Sequence, residues 1–577
     1  MKASDYIIQF LAERGIDTIF GYIGGMITHL VDSASKNPQV QFIQTYHEQS
    51  AAFAAEGYAR IRNLPGVAMA TSGPGALNML TSVGNAYFDS IPMIYITGQV
   101  NTYEYKYANP VRQQGFQETD VVAMARPVTK YAVMIDSAEN LRYELEKAWH
   151  LASCGRRGPV LLDLPMNIQR TEIQPENLRS FQPEDSSAEQ PDLSKLTEYL
   201  HSFFRAERPL ILIGGGCANA NLEPELKQLL TAGIPMVCSL QGKGVLPEDS
   251  PYFLGMLGSY GNRAANLAVA RADALLVLGS RLDTRQTGNQ KDAFSADKII
   301  YHFDIDANEL KYNRVSNRVC WCGDLAYLKN ILQKSVKRPE VKQAWLEEIS
   351  NLKRNYSIRQ EMERFIENKV PYEYMRKLDG MTDQNSIYCV DIGQNQMWAA
   401  QTLQLRETQK FLTSGGMAPM GYAVPAAIGA AFATRGQQPV IAISGDGGLQ
   451  IAMQSLLLIT QYHLPISVMV FNNNALGMIT QFQTLYFNRN YAATTQNGGY
   501  LNPDFEALSA AFGLQYKEIQ EPEQLRGELH PGFWNLLIRE MSIVSPKLEY
   551  NQPNYNMTPF LPEQELQTIM SGTGEKE

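Results

Sequence analysis

The chain has 577 residues, enough for three or four domains of about 150 residues each. Hydrophobic residues make up 44% of the chain and charged residues 19%, a composition typical of a folded globular protein and not of a disordered one. With 50 basic and 59 acidic residues, the formal charge of −9 argues against a broad nucleic-acid-binding surface, although a local site can still bind an anion.

Cysteine usage and hydropathy indicate the cellular environment. The six cysteines are scattered and form no C-x-x-C pair, which argues against a disulfide framework and against structural zinc. No apolar run is long enough to span a membrane. The first residues, MKASDYIIQFLAERG, have an amphipathic helical pattern without the apolar core of a signal peptide. We therefore expect a cytoplasmic protein without a membrane span.

Short apolar runs alternate with helical patterns in the first part of the chain, over residues 1–170. The runs are continuously apolar, as expected of parallel strands that are covered on both faces. They lie at 67–72, 93–98 and 159–165. A polar, proline-bearing stretch at 171–195 is typical of a linker.

The same alternation continues in a second unit over 196–335 and a third over 369–545. The strand-like runs of these units are at 208–216, 234–240, 272–281, 298–306, 386–393, 439–448 and 465–474. A charged helical linker at 336–368 connects the two units, and residues 546–577 form a tail. Three α/β units in succession predict three doubly wound domains that are built mainly on parallel sheets.

The most informative motif lies in the third unit, where Gly445-Asp446-Gly447 is followed after 24 residues by Asn472-Asn473. Because a β-α-β unit is right-handed and parallel strands end at one edge, we expect Asp446 and Asn473 to lie together there. Carboxylate, amide and backbone carbonyl oxygens suit Mg²⁺, and glycines at a helix start suit a diphosphate. Either segment alone is more simply a turn or a strand end, but the two at this spacing favour the site.

At this spacing the two segments resemble the thiamine diphosphate motif of the pyruvate decarboxylase and acetolactate synthase superfamily, and the resemblance extends over nearly the whole chain. It implies thiamine diphosphate and Mg²⁺ as cofactors, with the ion bound by Asp446, Asn473 and the carbonyl of Ala475. The residues implied for thiamine diphosphate are Gly393, Gln394, Asn395, Met420, Gly445, Gly447, Gly448 and Met478. Asn395 is a departure, since acetolactate synthases often carry histidine there.

A second family pattern, His-Glu-x-x-Ala-Ala, occurs around Glu48 in the first unit. By itself Glu48 suggests a capping or surface carboxylate, and Met420 suggests core filler. The resemblance instead implies that Glu48 hydrogen-bonds the aminopyrimidine ring and that Met420 keeps the cofactor bent. It also implies pyrimidine-binding and diphosphate-binding roles for the first and third domains, which come from different subunits at each site. A homodimer or homotetramer follows.

The central unit contains two segments, LGSRLDTRQTG (278–288) and HFDID (302–306), that resemble the flavin-binding segments of acetolactate synthase. By themselves they suggest charged surface loops. The resemblance implies a central FAD-binding domain. The residues implied for FAD are Gly214, Gly215, Arg281, Asp283, Arg285, Asp304 and Asp306. The glycines at 214–216 do not form G-x-G-x-x-G, which argues against a nicotinamide cofactor.

Two further segments, GFQETDVV (115–122) and FNNNALGMITQFQ (471–483), match acetolactate synthase, with Phe482 in place of tryptophan. The implied reaction is decarboxylation of pyruvate and transfer of the two-carbon unit to a ketone acceptor. The residues implied as catalytic are Gly25, Glu48, Phe116, Gln117 and Met420, and those implied for the substrate are Arg281 and Phe482. A charged hydrogen bond from Arg281 suits the carboxylate of an acceptor acid.

Two acceptors remain as alternatives, a second 2-keto acid and the C4 ketone of a deoxy nucleotide sugar. The segment 101–115 is longer than in typical acetolactate synthases. Its tyrosines and cations suit the binding of a sugar phosphate, but a surface loop without a binding role explains them equally well. The tail also resembles carboligases of bacterial surface-polysaccharide pathways. A flavin-dependent pyruvate oxidase, a pyruvate decarboxylase-like enzyme and an inactive homologue are the alternatives, although the presence of both Glu48 and Asp446 argues against the last.

Overall fold

Three six-stranded sheets, one in each third of the chain, form the framework of the protein. The computed structural model describes residues 1–183, 191–288, 291–335, 341–364 and 366–540, so the tail at 546–577 lies outside the described residues. All pairings between the strands named below are parallel. The prediction of three consecutive doubly wound α/β domains is confirmed.

The first sheet has the order β2-β1-β3-β4-β6-β5, and β3, β4 and β6 are buried along their whole length. The three predicted strands of this unit correspond to β3, β4 and β6. The strands are β1 (Thr18–Tyr22), β2 (Gln41–Gln44), β3 (Gly66–Ala70), β4 (Met93–Gln99), β5 (Tyr131–Met134) and β6 (Pro159–Pro165). The helices are α1 (Ala3–Glu13), α2 (Thr28–Lys36), α3 (Glu48–Arg62), α4 (Pro74–Asp89), α5 (Val121–Ala125), α6 (Leu141–Ser153) and α7 (Met166–Gln169).

The second sheet has the order β12-β11-β10-β7-β8-β9. Its strands are β7 (Pro209–Ile213), β8 (Met236–Cys238), β9 (Phe253–Met256), β10 (Ala274–Leu278), β11 (Ile299–Asp304) and β12 (Arg318–Cys322). The helices are α8 (Leu193–Phe204), α9 (Gly216–Asn219), α10 (Glu223–Thr231), α11 (Arg263–Arg271), α12 (Thr284–Thr287), α13 (Lys291–Ser295), α14 (Ala307–Tyr312) and α15 (Tyr327–Ser335). The next two helices, α16 (Gln343–Asn355) and α17 (Ile358–Arg364), lie in the predicted helical linker.

The third sheet has the order β14-β13-β15-β16-β18-β17. Its strands are β13 (Ile387–Val390), β14 (Lys410–Thr413), β15 (Val440–Gly445), β16 (Ile466–Asn472), β17 (Tyr516–Ile519) and β18 (Gly532–Leu537). The helices are α18 (Val370–Met381), α19 (Gln394–Thr402), α20 (Ala423–Ala433), α21 (Asp446–Ala452), α22 (Leu456–Gln461), α23 (Gly477–Tyr486) and α24 (Phe505–Ala511). The helical connection between β15 and β16 begins at Asp446 and is divided into α21 and α22 by a 3₁₀ turn.

Helices α3 and α20 join the first and third domains through very close backbone contacts. A Cβ atom on Gly57 of α3 would lie 2.2 Å from the carbonyl oxygen of Ala426, and one on Gly429 of α20 would lie 1.8 Å from that of Ala54. Both helices consist largely of buried small residues, and only glycine at these two positions permits so close a crossing. The relative position of the two domains within one chain is therefore set by this helix pair.

Two further expectations from the sequence agree with the structure. All six cysteines have free thiols. Among the described residues, no helix combines the length and the apolar character that a membrane crossing needs.

Asp163 in β6 is a buried carboxyl without a cationic partner among the ion pairs of the described residues. It accepts hydrogen bonds from Thr97 Oγ1 at 2.6 Å and Gln99 Nε2 at 2.8 Å. Burial raises its pKa from 3.8 to about 7. The folded state therefore binds the proton more tightly than the unfolded state. As a result, the free energy of unfolding falls as the pH rises from the pKa of the unfolded state to the pKa of the folded state.

We predict that the wild-type protein loses stability relative to an Asp163→Asn variant between about pH 4 and about pH 7. The loss is up to about 1.4 kcal/mol per pH unit, because the asparagine does not titrate. Thermal unfolding of both proteins across this range is the measurement. Asp136→Asn, at an exposed position, serves as the control and should follow the wild type. Parallel profiles for the wild type and Asp163→Asn would contradict the prediction.

Candidate active site

The carboxyl edge of the third sheet brings the two halves of the predicted motif together. Asp446 is the first residue of α21, directly after β15, and Asn473 directly follows β16. The two strands pair in parallel, with Gly445 opposite Phe471. Asp446 and Asn473 therefore lie at the ends of neighbouring strands on the same edge, as the sequence predicts.

The carboxylate of Asp446 is 2% exposed, and burial raises its pKa to about 6. No Lys or Arg forms an ion pair with it in the described part of the chain. The amide oxygen of Asn473 accepts a hydrogen bond from the backbone N–H of Ala475 at 3.1 Å, which folds this segment into a tight turn beside the strand end. A buried carboxylate with amide and carbonyl oxygens is a donor set that fits Mg²⁺, whose charge would compensate the buried anion.

Asn502 is a residue of this site that the sequence did not indicate. Its Nδ2 atom donates to Asp446 Oδ2 at 2.7 Å, to Asn474 Oδ1 at 3.0 Å and to Asn472 Oδ1 at 3.1 Å. The segment that carries Asn502 thus closes the candidate metal site from the side. It has no helical or strand periodicity, so only the three-dimensional contacts identify it.

The segment predicted to contact the diphosphate lies against the same edge. Gly393 has a φ of 144°, a conformation that favours glycine, and Gln394 begins α19. The amide of Asn395 donates to the carbonyl of Asp391 at 2.8 Å, and a Cβ atom on Gly445 would lie 3.3 Å from Asn395 Oδ1. The start of α19 and the glycines of the motif therefore lie close enough to bind one anionic group together.

Met420 lies close to Gly447 of the motif at this edge. A Cβ atom on Gly447 would lie 3.2 Å from the Cε atom of Met420 and 2.6 Å from Leu476. Asp391, a second residue missed in the sequence, fixes this segment because its carboxylate accepts from the N–H groups of Gly421 and Ala423, both at 3.0 Å. Burial raises the pKa of Asp391 to about 6.

Helix α23 starts beside the candidate metal site and carries apolar side chains. Gly477 at its start is close to the metal-site turn, since a Cβ atom there would lie 2.9 Å from Asn473 Nδ2. Met478 and Phe482, four residues apart, share one face of α23 and are both half-buried. The start of the helix therefore lies next to the polar sheet edge.

Glu48 in the first domain is buried and does not act as a surface cap. It is 8% exposed, and its Oε2 atom accepts a hydrogen bond from Asn78 Nδ2 at 2.9 Å. The N-terminal cap of α3 is provided instead by the ring of His47, which accepts from the N–H of Gln49 at 3.1 Å. A Cβ atom on Gly75 would lie 3.1 Å from Glu48 Oε1, so the start of α4 packs against this carboxylate.

Three other predicted residues lie in open parts of the first domain. Phe116 is 80% exposed, and Gly25 has no heavy atom within 4 Å of the position of an added Cβ. Gln117 has a left-handed φ of 64°, and its carbonyl lies 3.0 Å from where a Cβ on Gly73 would be. Gln117 is therefore beside the start of α4, the same helix end that contacts Glu48.

The long segment 101–115 is an ordered loop next to these residues. The carboxylate of Glu118 ties it together by accepting from the N–H groups of Lys106 at 2.9 Å, Gln114 at 2.7 Å and Gly115 at 3.0 Å. The rings of Tyr103 and Tyr107 are 67% and 51% exposed. The loop thus presents aromatic surface next to Phe116 without packing it into a core.

A cavity of about 840 Å³ opens where the three domains meet. This volume is in the range of cofactor sites. Five of the seven residues predicted to contact FAD line it: Gly215, Arg281, Asp283, Arg285 and Asp304. Arginines from two domains also line it, Arg60, Arg156 and Arg157 from the first domain and Arg281 and Arg285 from the second, and this charge fits the diphosphate of a dinucleotide such as FAD.

The other two predicted FAD residues have different surroundings. Gly214 does not line the cavity, and its backbone packs so tightly on the next strand end that an added Cβ would lie 2.0 Å from the carbonyl of Gly279. Asp306 is not in the wall either, but it accepts from Arg156 Nη1 at 2.8 Å. These two residues shape the cavity through their neighbours.

Comparisons with known families agree with this three-part organisation. Residues 1–124 match the model described as the thiamine pyrophosphate enzyme N-terminal TPP binding domain. Residues 196–334 match the central domain of these enzymes, and residues 391–535 match their C-terminal TPP binding domain.

Three relatives are similar along most of their length. The acetolactate synthase isozyme 2 large subunit of Escherichia coli (strain K12) is 34% identical over 532 residues, which cover 92% of this chain and 93% of the relative. A probable acetolactate synthase large subunit of Methanocaldococcus jannaschii is 34% identical, with 92% and 89% covered. The mitochondrial acetolactate synthase catalytic subunit of Saccharomyces cerevisiae is 33% identical, with 90% and 77% covered. The chain therefore belongs to the thiamine pyrophosphate enzymes and, within them, to the acetolactate synthase family of carboligases.

Proposed function

We propose that this carboligase decarboxylates pyruvate and transfers the two-carbon unit to a ketone, with thiamine diphosphate, Mg²⁺ and FAD as cofactors. The observation that carries the proposal is the buried carboxylate of Asp446, which pairs with no Lys or Arg among the described residues and lies at a sheet edge beside Met420. Such a carboxylate needs a cation, and the neighbouring glycines leave room for an anion that the cation can bind. Bound thiamine diphosphate supplies the carbon centre that accepts the electron pair released when CO₂ leaves.

Each domain has a proposed task in holding the cofactors. Residues 369–545 bind the diphosphate and Mg²⁺, the latter through Asp446, Asn473 and the carbonyl of Ala475. Residues 1–170 bind the pyrimidine ring through Glu48, and residues 196–335 bind FAD in the three-domain cavity. The arginines of the cavity wall and the donor set at Asp446 support these assignments.

Two copies of the chain are needed to complete one site. Arg60, near the end of α3, donates to the carbonyl of Thr413 at 2.6 Å and to Tyr422 Oη at 3.3 Å, so that end of α3 lies beside the segment that carries Met420. Glu48 is twelve residues earlier on the same helix, about 18 Å away along its axis. We therefore propose a homodimer, or a homotetramer of such dimers, in which Glu48 of one copy faces Met420 and Asp446 of the other.

Arg281 is the proposed contact for a substrate carboxylate. Its Nη2 atom lies 3.4 Å from the position of a Cβ atom on Gly416, between the FAD cavity and the segment that leads to Met420. A guanidinium can bind a carboxylate with two hydrogen bonds. Phe116, Gln117, Gly25 and Phe482 complete the proposed pocket with apolar and amide surface from the two domains.

The acceptor is proposed as either a second 2-keto acid or the C4 ketone of a deoxy nucleotide sugar. Arg281 favours the acid. The exposed rings of Tyr103 and Tyr107 on the loop tied by Glu118, together with Lys106, favour the larger substrate, because aromatic faces and cations suit a sugar phosphate.

We predict that the purified protein with thiamine diphosphate, Mg²⁺ and FAD consumes pyruvate and forms a new carbon–carbon bond. Acetolactate from pyruvate alone identifies the keto acid as acceptor, whereas turnover that begins only when a nucleotide ketosugar is added identifies the sugar. Product analysis by mass spectrometry separates the two. Release of free acetaldehyde without any ligated product would contradict carboligation in favour of a simple decarboxylase, and bleaching of the flavin by pyruvate would indicate an oxidase.

The cofactor site itself can be tested with Gly447→Ala. The added methyl group would lie 2.6 Å from Leu476 and 3.2 Å from Met420, so it displaces side chains that border the proposed cofactor site. We therefore expect at least tenfold weaker binding of thiamine diphosphate at saturating Mg²⁺. Isothermal titration calorimetry measures the affinity. Gly380→Ala in α18 is the matched control, because its methyl group meets nothing within 4 Å and affinity should not change. Wild-type affinity in Gly447→Ala would refute the assignment.

A further inference from the structure

The segment that leads to Met420 is held by a residue of another domain. Asp89, the last residue of α4, accepts from the N–H of Gly415 through Oδ2 at 2.9 Å and from the N–H of Gly416 through Oδ1 at 2.7 Å. One carboxylate therefore holds two successive amides, an arrangement that fixes both the position and the direction of the backbone.

The middle domain takes part in the same contact through Gln241. Its Nε2 atom donates to the carbonyl of Thr413 at 3.0 Å and to Asp89 Oδ2 at 3.2 Å, while its Oε1 atom accepts from Arg60 Nη2 at 2.8 Å. Arg60 in turn donates to the carbonyl of Thr413. Residues of all three domains thus meet on the turn that begins the segment with Met420.

On its glycine side the turn packs closely against two other domains. A Cβ atom on Gly415 would lie 2.7 Å from Gln241 Nε2, and one on Gly416 would lie 2.7 Å from the Cβ of Phe88. A methyl group does not fit at either glycine without a shift of its neighbour, so the turn is in direct contact with Gln241 and Phe88 as well as with Asp89.

The same side chains form part of the wall of the three-domain cavity. Asp89, Arg60, Gln241, Gly415 and Arg281 all line it. A ligand that reaches this part of the wall contacts the groups that hold the turn and restricts the positions that they can take. Two ligands that favour the same arrangement of shared groups strengthen each other's binding, and the effect is reciprocal.

We propose that Asp89 is a positioning residue of the thiamine diphosphate site, and that it makes the placement of the Met420 segment depend on occupancy of the three-domain cavity. The inference rests on the proposed function in that FAD is taken as the occupant. Asp89 touches neither the substrate nor the reacting atoms, and it acts through the amides of Gly415 and Gly416. FAD in the cavity holds the side chains of Asp89, Gln241 and Arg60 in the arrangement that thiamine diphosphate requires.

The test is the affinity for thiamine diphosphate at saturating Mg²⁺, measured by calorimetry on protein stripped of flavin and again on protein saturated with FAD. We expect FAD to tighten binding by at least about fivefold in the wild type. The quantity compared is the ratio of the affinity for thiamine diphosphate with FAD to the affinity without it. In Asp89→Asn, which keeps the shape of the side chain but lacks the second acceptor oxygen, this ratio should fall close to one while FAD still binds. Asp324→Asn is the matched control, because Asp324 lines the cavity but its hydrogen bond goes to Ala326, and its ratio should equal that of the wild type.

A loss that is merely structural would lower the melting temperature without changing the ratio of the two affinities, so the ratio separates positioning from folding. Should Asp89→Asn not fold, Gln241→Leu removes the hydrogen bonds to Asp89 and Thr413 and should reduce the ratio in the same way. Equal affinities with and without FAD in the wild type, or an unchanged ratio in the folded variant, would overturn the proposal. Failure of the wild type to bind FAD at all would instead remove the flavin assignment made above, and this proposal with it.

Discussion

The crossing of α3 and α20 determines which parts of this protein can meet. At Gly57 and Gly429 the helix backbones approach so closely that any side chain would collide with a carbonyl, and this contact fixes the first domain on the third. It brings Arg60 to the Met420 segment and leaves Glu48, on the same helix, about 18 Å away along the axis. The residues that the family resemblance assigns to one cofactor are therefore separated within a chain, and a second copy becomes a geometric requirement of the proposed site.

The formal charge of −9 is compatible with the three proposed anionic ligands, thiamine diphosphate, FAD and a keto acid, because each would be bound by a local group of residues. At the sheet edge, Asp446 has no cationic partner among the described residues and suits a metal ion that a diphosphate can share. At the domain junction, arginines of the first and second domains converge on one cavity. Neither arrangement requires a basic surface, and the two are linked by Asp89, which lines the cavity and holds the turn before Met420.

Much of this architecture can be predicted from the sequence, for reasons that are visible in particular elements. Continuous apolar runs such as 93–98 predict buried parallel strands. The spacing of Asp446 and Asn473 predicts their meeting because β15 and β16 are parallel neighbours joined by one crossover. Asn502, Asp391 and Asp89 could not be found in this way, since their partners are backbone amides or side chains distant in sequence. The close packing of Gly214 against Gly279 is likewise visible only in three dimensions.

The central claim, that each active site combines Glu48 of one copy with Asp446 of another, is tested most directly by complementation. Glu48→Gln and Asp446→Asn are each expected to form inactive homodimers. When the two variants are unfolded and refolded together, or expressed together, mixed dimers contain one site in which both residues are intact. The account predicts that carboligation returns in the mixture. Mixed dimers that are isolated with two different affinity tags and remain inactive would contradict it.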